Sequence, residues 1–135
     1  MDGRIIVITG ASSGLGKGVA QRLAAQGARL VLAARRSHLL RELAEECGDA
    51  LAITCDVADA GDVEKLAAAA LAKYGRIDVW VNNAGVAALG RFEEIPLEDH
   101  RRVIETNLLG TINGSHVAMR HFRRLGAGTL VNIAS

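Results

Sequence analysis

"RIIVITGASSGLGKG", Arg4 to Gly18, runs an apolar, β-branched segment into a turn carrying glycines at 10, 14 and 16, and then into a helical stretch. A strand ending at Thr9 and a helix starting near Gly14 leave a turn whose backbone, free of Cβ atoms, can approach a pyrophosphate. The N–H groups that open the helix, and the positive end of its dipole, then point at the phosphates. The spacing G-x-x-x-G-x-G departs from the G-x-G-x-x-G of many dinucleotide folds and from the P-loop, which requires G-K-[ST]. Taken alone, such glycines also suit a tight strand-to-helix turn with no ligand.

Four more apolar runs follow: "RLVLAA", "ALAITCDV", "DVWVNNAG" and "TLVNIAS". Each is β-branched and continuous rather than alternating, which predicts strands covered on both faces. Helical patterns separate them. From Asp59 to Tyr74, the residues Val63, Leu66, Ala67, Ala70, Leu71 and Tyr74 fall on one stripe, with Asp59 as N-cap and Gly75 as the stop. Gly27 and Gly48 end the two earlier helices in the same way. Strand and helix in alternation imply right-handed crossovers and a parallel sheet, hence an α/β fold of about five strands. A fourth helix, 97–125, carries apolar residues on more than one side (among them Ile104, Leu108, Ile112, Val117, Met119 and Phe122). One face should meet the sheet, and another a partner.

Half of the 135 residues are hydrophobic, enough for a substantial core, and the net charge of +1 lacks the basic surplus of a nucleic-acid or membrane-surface binder. No run reaches the roughly 18 apolar residues of a membrane span. The opening "MDGRIIVITG" does not fit a secretory signal. Cys47 and Cys55 lack metal-ligand spacing and read as buried thiols of a reducing, cytoplasmic compartment, with no metal site expected.

Thr9 to Gly16 matches T-G-x-x-x-G-x-G, and here the chain resembles the short-chain dehydrogenase/reductases. Further marks of that family follow in order: "CDV" after the third strand, "NNAG" after the fourth, "ETNLLG" in the long helix and "VNIAS" on the fifth strand. The resemblance implies a Rossmann-type doubly wound sheet forming one NAD(P)-binding domain over 1–135. It implies a cofactor held by Gly10, Ser12, Ser13, Gly14, Leu15 and Gly16 in the loop. Asp56 and the Val57 backbone would meet adenine; Asn83, Ala84 and Gly85 would line the cofactor, while Asn82 would brace the sheet.

The second strand ends "LAARRS". An NAD enzyme usually holds the ribose 2′-hydroxyl with an acid at this tip, whereas this chain has Ala34 followed by Arg35 and Arg36. A guanidinium grips a 2′-phosphate that a carboxylate would repel, so the expected cofactor is NADP rather than NAD. The alternative is two solvated arginines opening a helix. Cations there oppose the helix dipole, and an anionic partner would explain their position. Many NADP-dependent members of the family have a basic residue within the glycine loop; this chain has Ser13 instead.

The implied reaction is hydride transfer between nicotinamide and a small carbonyl or alcohol substrate. In the family a serine binds the substrate oxygen and an asparagine positions a water, roles that fall on Ser135 and Asn107. Singly, such residues can also just satisfy neighbouring backbone groups. The family's Tyr-x-x-x-Lys should follow the serine by about a dozen residues and does not occur in this sequence. Tyr74, the only tyrosine, has Asp78 four residues on and precedes a strand, so it cannot substitute. His38, His100, His116 and His121 read as surface or interface residues. The expectation is the N-terminal portion of such an enzyme, truncated after the fifth strand, inactive alone and homo-oligomeric through the helix 97–125. Two other classes compete. A non-catalytic NADP-binding or scaffold module would not need Ser135 and Asn107, and a methyltransferase would want an acid where Ala34 and Arg35 stand.

Overall fold

A computed structural model of the chain describes residues 1–134. Five parallel strands, β1 (Ile5–Thr9), β2 (Arg29–Ala34), β3 (Ala50–Thr54), β4 (Val79–Asn82) and β5 (Thr129–Asn132), form one sheet in the order β3-β2-β1-β4-β5. The order reverses between β1 and β4, so the sheet is doubly wound, as expected.

Alternation within the strands divides the core into two layers. Ile6 and Ile8 of β1 and Leu30 and Leu32 of β2 face α1 (Gly14–Ala25) and α2 (Ser37–Glu46), where they meet Ala20, Leu40 and Leu43. Val7, Val31 and Trp80 face the opposite way, onto Val63, Leu66 and Ala70 of α3 (Ala60–Tyr74) and onto Val117 and Phe122 of α5 (Gly110–Leu125). Each such aliphatic side chain, fully buried, contributes about 1.5–3 kcal/mol before the cost of ordering the chain.

The continuous apolar runs predicted two covered faces for every strand, which holds for β1, β2 and β4. It does not hold for β3, half-buried along most of its length, or for β5, whose Thr129 and Asn132 are exposed. These two strands form the edges of the described sheet, where fewer neighbours cover them. The predicted caps are present. Asp59 accepts the Asp62 N–H at 3.1 Å, and Gly75, at φ +79°, closes α3 by donating to the Leu71 carbonyl at 2.8 Å.

The long helix runs over the expected 97–125 but is not regular. It consists of α4 (Leu97–Ile104), a π-type turn over Glu105–Leu109, and α5. In the turn the Gly110 N–H bonds back to the Glu105 carbonyl, five residues earlier, accommodating one extra residue. Val117 and Phe122 serve the core, whereas Ile104, Leu108, Leu109, Ile112 and Met119 are exposed.

Three side chains differ from their sequence reading. His121 is half-buried, and its Nε2 accepts the Ile77 N–H at 3.0 Å, bracing the turn before β4 against α5. His100 is half-buried against the Phe92 ring, with centroids 4.5 Å apart. Cys47 is only partly covered, because α2 ends there at the surface; Cys55 is buried, and both thiols are free. Tyr74 packs against the core and bonds Asp49 through its hydroxyl, at the end of the sheet where the strands begin.

Candidate functional site

Where the strands end, a cleft of about 730 Å³ opens between the glycine loop, the β2 tip, the turn after β3 and the segment after β4. Gly10, Ser12, Ser13, Gly14 and Leu15 form its first wall. Gly10 sits at φ +64°, and a Cβ there would lie 2.6 Å from the Ala84 Cα, so only glycine fits between loop and β4. Gly16 stands behind the wall rather than on it; its Cβ would lie 2.5 Å from both Asn83 Nδ2 and the Gly10 carbonyl oxygen. Ser13 is the N-cap of α1, yet its side chain makes no capping bond, and the first turn holds no acid. The opening N–H groups of α1 are therefore left for an anion.

Ala34, Arg35 and Arg36 form the second wall. No carboxylate stands at the strand tip. Arg36 reaches across to the glycine loop, its Nη2 donating to Ser13 Oγ at 2.7 Å and Ser12 Oγ at 3.1 Å.

The third wall is Cys55, Asp56 and Val57. Asp56 Oδ1 accepts the Ala58 N–H at 3.0 Å, and the Asp56 N–H donates to Asp62 Oδ2 at 3.1 Å, which fixes the turn. Burial, reinforced by the carboxylates of Asp62, Asp56 and Asp59, pushes the Cys55 thiol up to about 12. Helix α5 closes on this wall: Asn113 Nδ2 donates to the Val57 carbonyl at 2.9 Å, and a Cβ on Gly110 would lie 2.5 Å from Val57 Cγ2.

Asn83, Ala84 and Gly85 line the remaining side. The buried Thr9 hydroxyl accepts the N–H groups of Asn83 at 3.1 Å and Ala84 at 3.2 Å. In return Asn83 Nδ2 donates to the carbonyls of Thr9 and Gly10 at 3.1 and 3.2 Å. The glycine loop and the end of β4 are thus stitched into one floor. Asn82 lies outside the cleft and links the sheet to α5, as its bracing role requires.

Asn107 sits in the π-type turn and grips Val86: Nδ2 donates to the Val86 carbonyl and Oδ1 accepts the Val86 N–H, both at 2.8 Å. Both ends of its amide are thereby engaged with main chain. Asn107 does not line the cleft, although Val86, which it holds, does. Ser135 lies outside the described residues. Sequence reasoning did not assign Val86, Thr106 or Ile133 to the cleft, and read Cys55 only as a core thiol. Thr106 and Ile133 lie inside the quoted motifs "ETNLLG" and "VNIAS", and Val86 directly follows "NNAG", which is the signal the sequence offers. Among the described residues, no His/Cys/Asp/Glu group is arranged to hold a metal, and no helix is long and apolar enough to cross a membrane.

A glycine loop feeding a helix N-terminus, beside the point where a parallel sheet reverses its order, is the architecture of the dinucleotide-binding α/β proteins. Within that class, the family model for short chain dehydrogenase matches residues 4–135, and the chain belongs to this family. It is 39% identical to an uncharacterised oxidoreductase of Bacillus subtilis, YxnA, over 98% of this chain and 38% of that protein. It is 37% identical to the D-threitol dehydrogenase of Mycolicibacterium smegmatis, over 100% of this chain and 54% of the relative. Among solved structures, the 3-ketoacyl-(acyl-carrier-protein) reductase of Brucella melitensis, complexed with NADH, superposes with a TM-score of 0.95 at 35% identity, covering 99% of this chain and 58% of that one. The chain thus spans about half the length of the relatives it matches, or less.

Proposed function

We propose that residues 1–135 form the cofactor-binding domain of an NADP-dependent oxidoreductase that moves a hydride between nicotinamide and the carbon of a carbonyl or alcohol substrate. The observation that carries the choice of NADP is the β2 tip: two guanidiniums and no carboxylate, with Arg36 already turned into the cleft. The cleft fits a dinucleotide. The uncapped start of α1 suits a diphosphate, and Gly10 and Gly16 let the loop close onto the segment after β4, where any Cβ would clash. The nicotinamide supplies the hydride chemistry when bound. The chain's own residues bind and orient: the glycine loop at the diphosphate, Arg35 and Arg36 at the 2′-phosphate, Asp56 and Val57 at adenine, and Ala84 and Gly85 along the ribose side. In this reading Ser135 holds the substrate oxygen, and Asn107 fixes the wall through Val86 beside a relay water. The protein is cytoplasmic and homo-oligomeric through the exposed stripe Ile104, Leu108, Ile112 and Met119.

A second reading, a non-catalytic NADP-binding module, is favoured by one observation: the Asn107 amide is fully engaged with Val86. Under either reading these 135 residues alone turn over no substrate, since the sequence contains no Tyr-x-x-x-Lys to perform proton transfer.

Fluorescence titration with NADPH and NADH tests the cofactor assignment. A charge-assisted contact of about 1.5–3 kcal/mol predicts a preference for NADPH of roughly 10- to 150-fold, reversed by Arg35→Asp. Equal affinities would sink it.

A further inference from the structure

Ser12 and Ser13 precede a helix, where a serine hydroxyl ordinarily accepts a backbone N–H. Ser13 occupies the N-cap and does not do this. Both hydroxyls instead accept from Arg36, which itself opens α2, also without a side-chain capping bond. Two helix starts on opposite sides of one cleft are therefore joined by a side-chain strap. The arrangement forgoes a cap on α1 and places a cation at the start of α2, where the helix dipole opposes it. No carboxylate offsets this: among the described residues Arg36 has no ion-pair partner, and Asp56, which shares the cleft, is turned to Ala58. Neutral hydroxyls hold the guanidinium without cancelling its charge. Its Nε and Nη1 donors make no other hydrogen bond among the described residues, so a planar fork stays available.

We propose that Ser12 and Ser13 are positioning residues for cofactor choice: they hold Arg36 over the glycine loop so that its unused donors, together with Arg35, receive the 2′-phosphate of NADP. The inference rests on the NADP reading above. It explains how a glycine loop with no basic residue of its own acquires one. The loop borrows Arg36 from the start of α2, 23 residues on from Ser13 in sequence. A long exposed side chain would otherwise have to be ordered at the moment of binding; the strap orders it beforehand.

Isothermal titration with NADP+ and NAD+, which differ only by the 2′-phosphate, separates the possibilities. The Ser12→Ala/Ser13→Ala double variant should lose about 5- to 10-fold more affinity for NADP+ than for NAD+. Arg36→Ala should lose at least as much, and the triple variant no more than Arg36→Ala alone, because the serines act through the arginine. Ser13→Thr, which keeps a hydroxyl, should retain most of the affinity, and far-UV circular dichroism should be unchanged throughout. The proposal is overturned if the serine variant weakens both nucleotides equally, making the serines diphosphate ligands, or if the losses in the triple variant add. Equal binding of NADP+ and NAD+ by the unmodified chain, or binding of neither, overturns the NADP reading itself.

Discussion

Asn82→Ala removes a side chain that hydrogen-bonds across β4, α5 and β5. Its Oδ1 accepts the Trp80 indole N–H at 2.8 Å, and its Nδ2 donates to Asn132 Oδ1 at 2.8 Å, Ser115 Oγ at 3.1 Å and the Thr111 carbonyl at 3.3 Å. The losses are unequal. Ser115, Asn132 and Thr111 are partly or fully exposed and can turn to water. Trp80 is wholly buried, so its N–H would be left without an acceptor at a cost of about 1–3 kcal/mol. Loss of the amide's packing against Gly114 adds to this and brings the total to about 2–4 kcal/mol. For a domain of this size that lowers Tm by about 7–14 °C. Urea unfolding followed by the fluorescence of Trp80, the only tryptophan, measures it directly. Asn132→Ala is the control: it removes a single bond from an exposed residue and should cost under about 1 kcal/mol. An Asn82→Ala variant within about 0.5 kcal/mol of the unmodified chain, or a control equally costly, would refute the reasoning.

Glycine substitutions should diverge by site. Gly110→Ala, which drives a methyl into Val57, should destabilise by about 1–3 kcal/mol in chemical denaturation, whereas Gly18→Ala, on an open helix face, should stabilise by about 0.5–1 kcal/mol. Because the Cys55 thiol lies near 12 when folded against an ordinary 9.0, the contribution of that burial is intact below about pH 9 and lost as pH rises toward 12; Cys55 should resist iodoacetamide at pH 8 until the chain unfolds, while Cys47 reacts. Light scattering on the dilute, nucleotide-free chain should show dimers or larger species, and a monodisperse 14.2 kDa particle would contradict the assigned role of the helix stripe.

Much of this molecule was legible because its signals are local. The continuous runs located all five strands, and Asp59 and Gly75 bounded α3 within a residue; of the thirteen residues expected at a cofactor, twelve come together on one cleft and Gly16 stands behind it. What escaped depends on contacts between distant residues. Nothing near Arg36 announces that it bonds serines 23 and 24 positions earlier. The half-covered state of β3 and β5 follows from their places in the sheet, which an apolar run does not encode. His121 reads as a surface residue because its partner, the Ile77 N–H, is main chain of the turn before β4, distant in sequence. The irregular turn at 105–109 contains no proline or glycine to mark it, and it coincides with Asn107 clasping Val86.

That turn has a consequence for how the long helix meets its surroundings. A regular helix advances about 100° per residue, so one additional residue resets the angular phase of everything beyond it. Upstream, α4 answers to the Phe92 segment through His100; downstream, α5 must present Gly110 to Val57 and Gly114 to Trp80 and Asn82. The extra residue between them sets the relative rotation at which both contacts are made. Deleting one residue between 105 and 109 would yield a smoother helix, yet would rotate Gly110 away from the turn after β3 and Gly114 away from β4, relative to α4. The irregularity is an angular adaptor, and the closeness of α5 to the cleft wall depends on it.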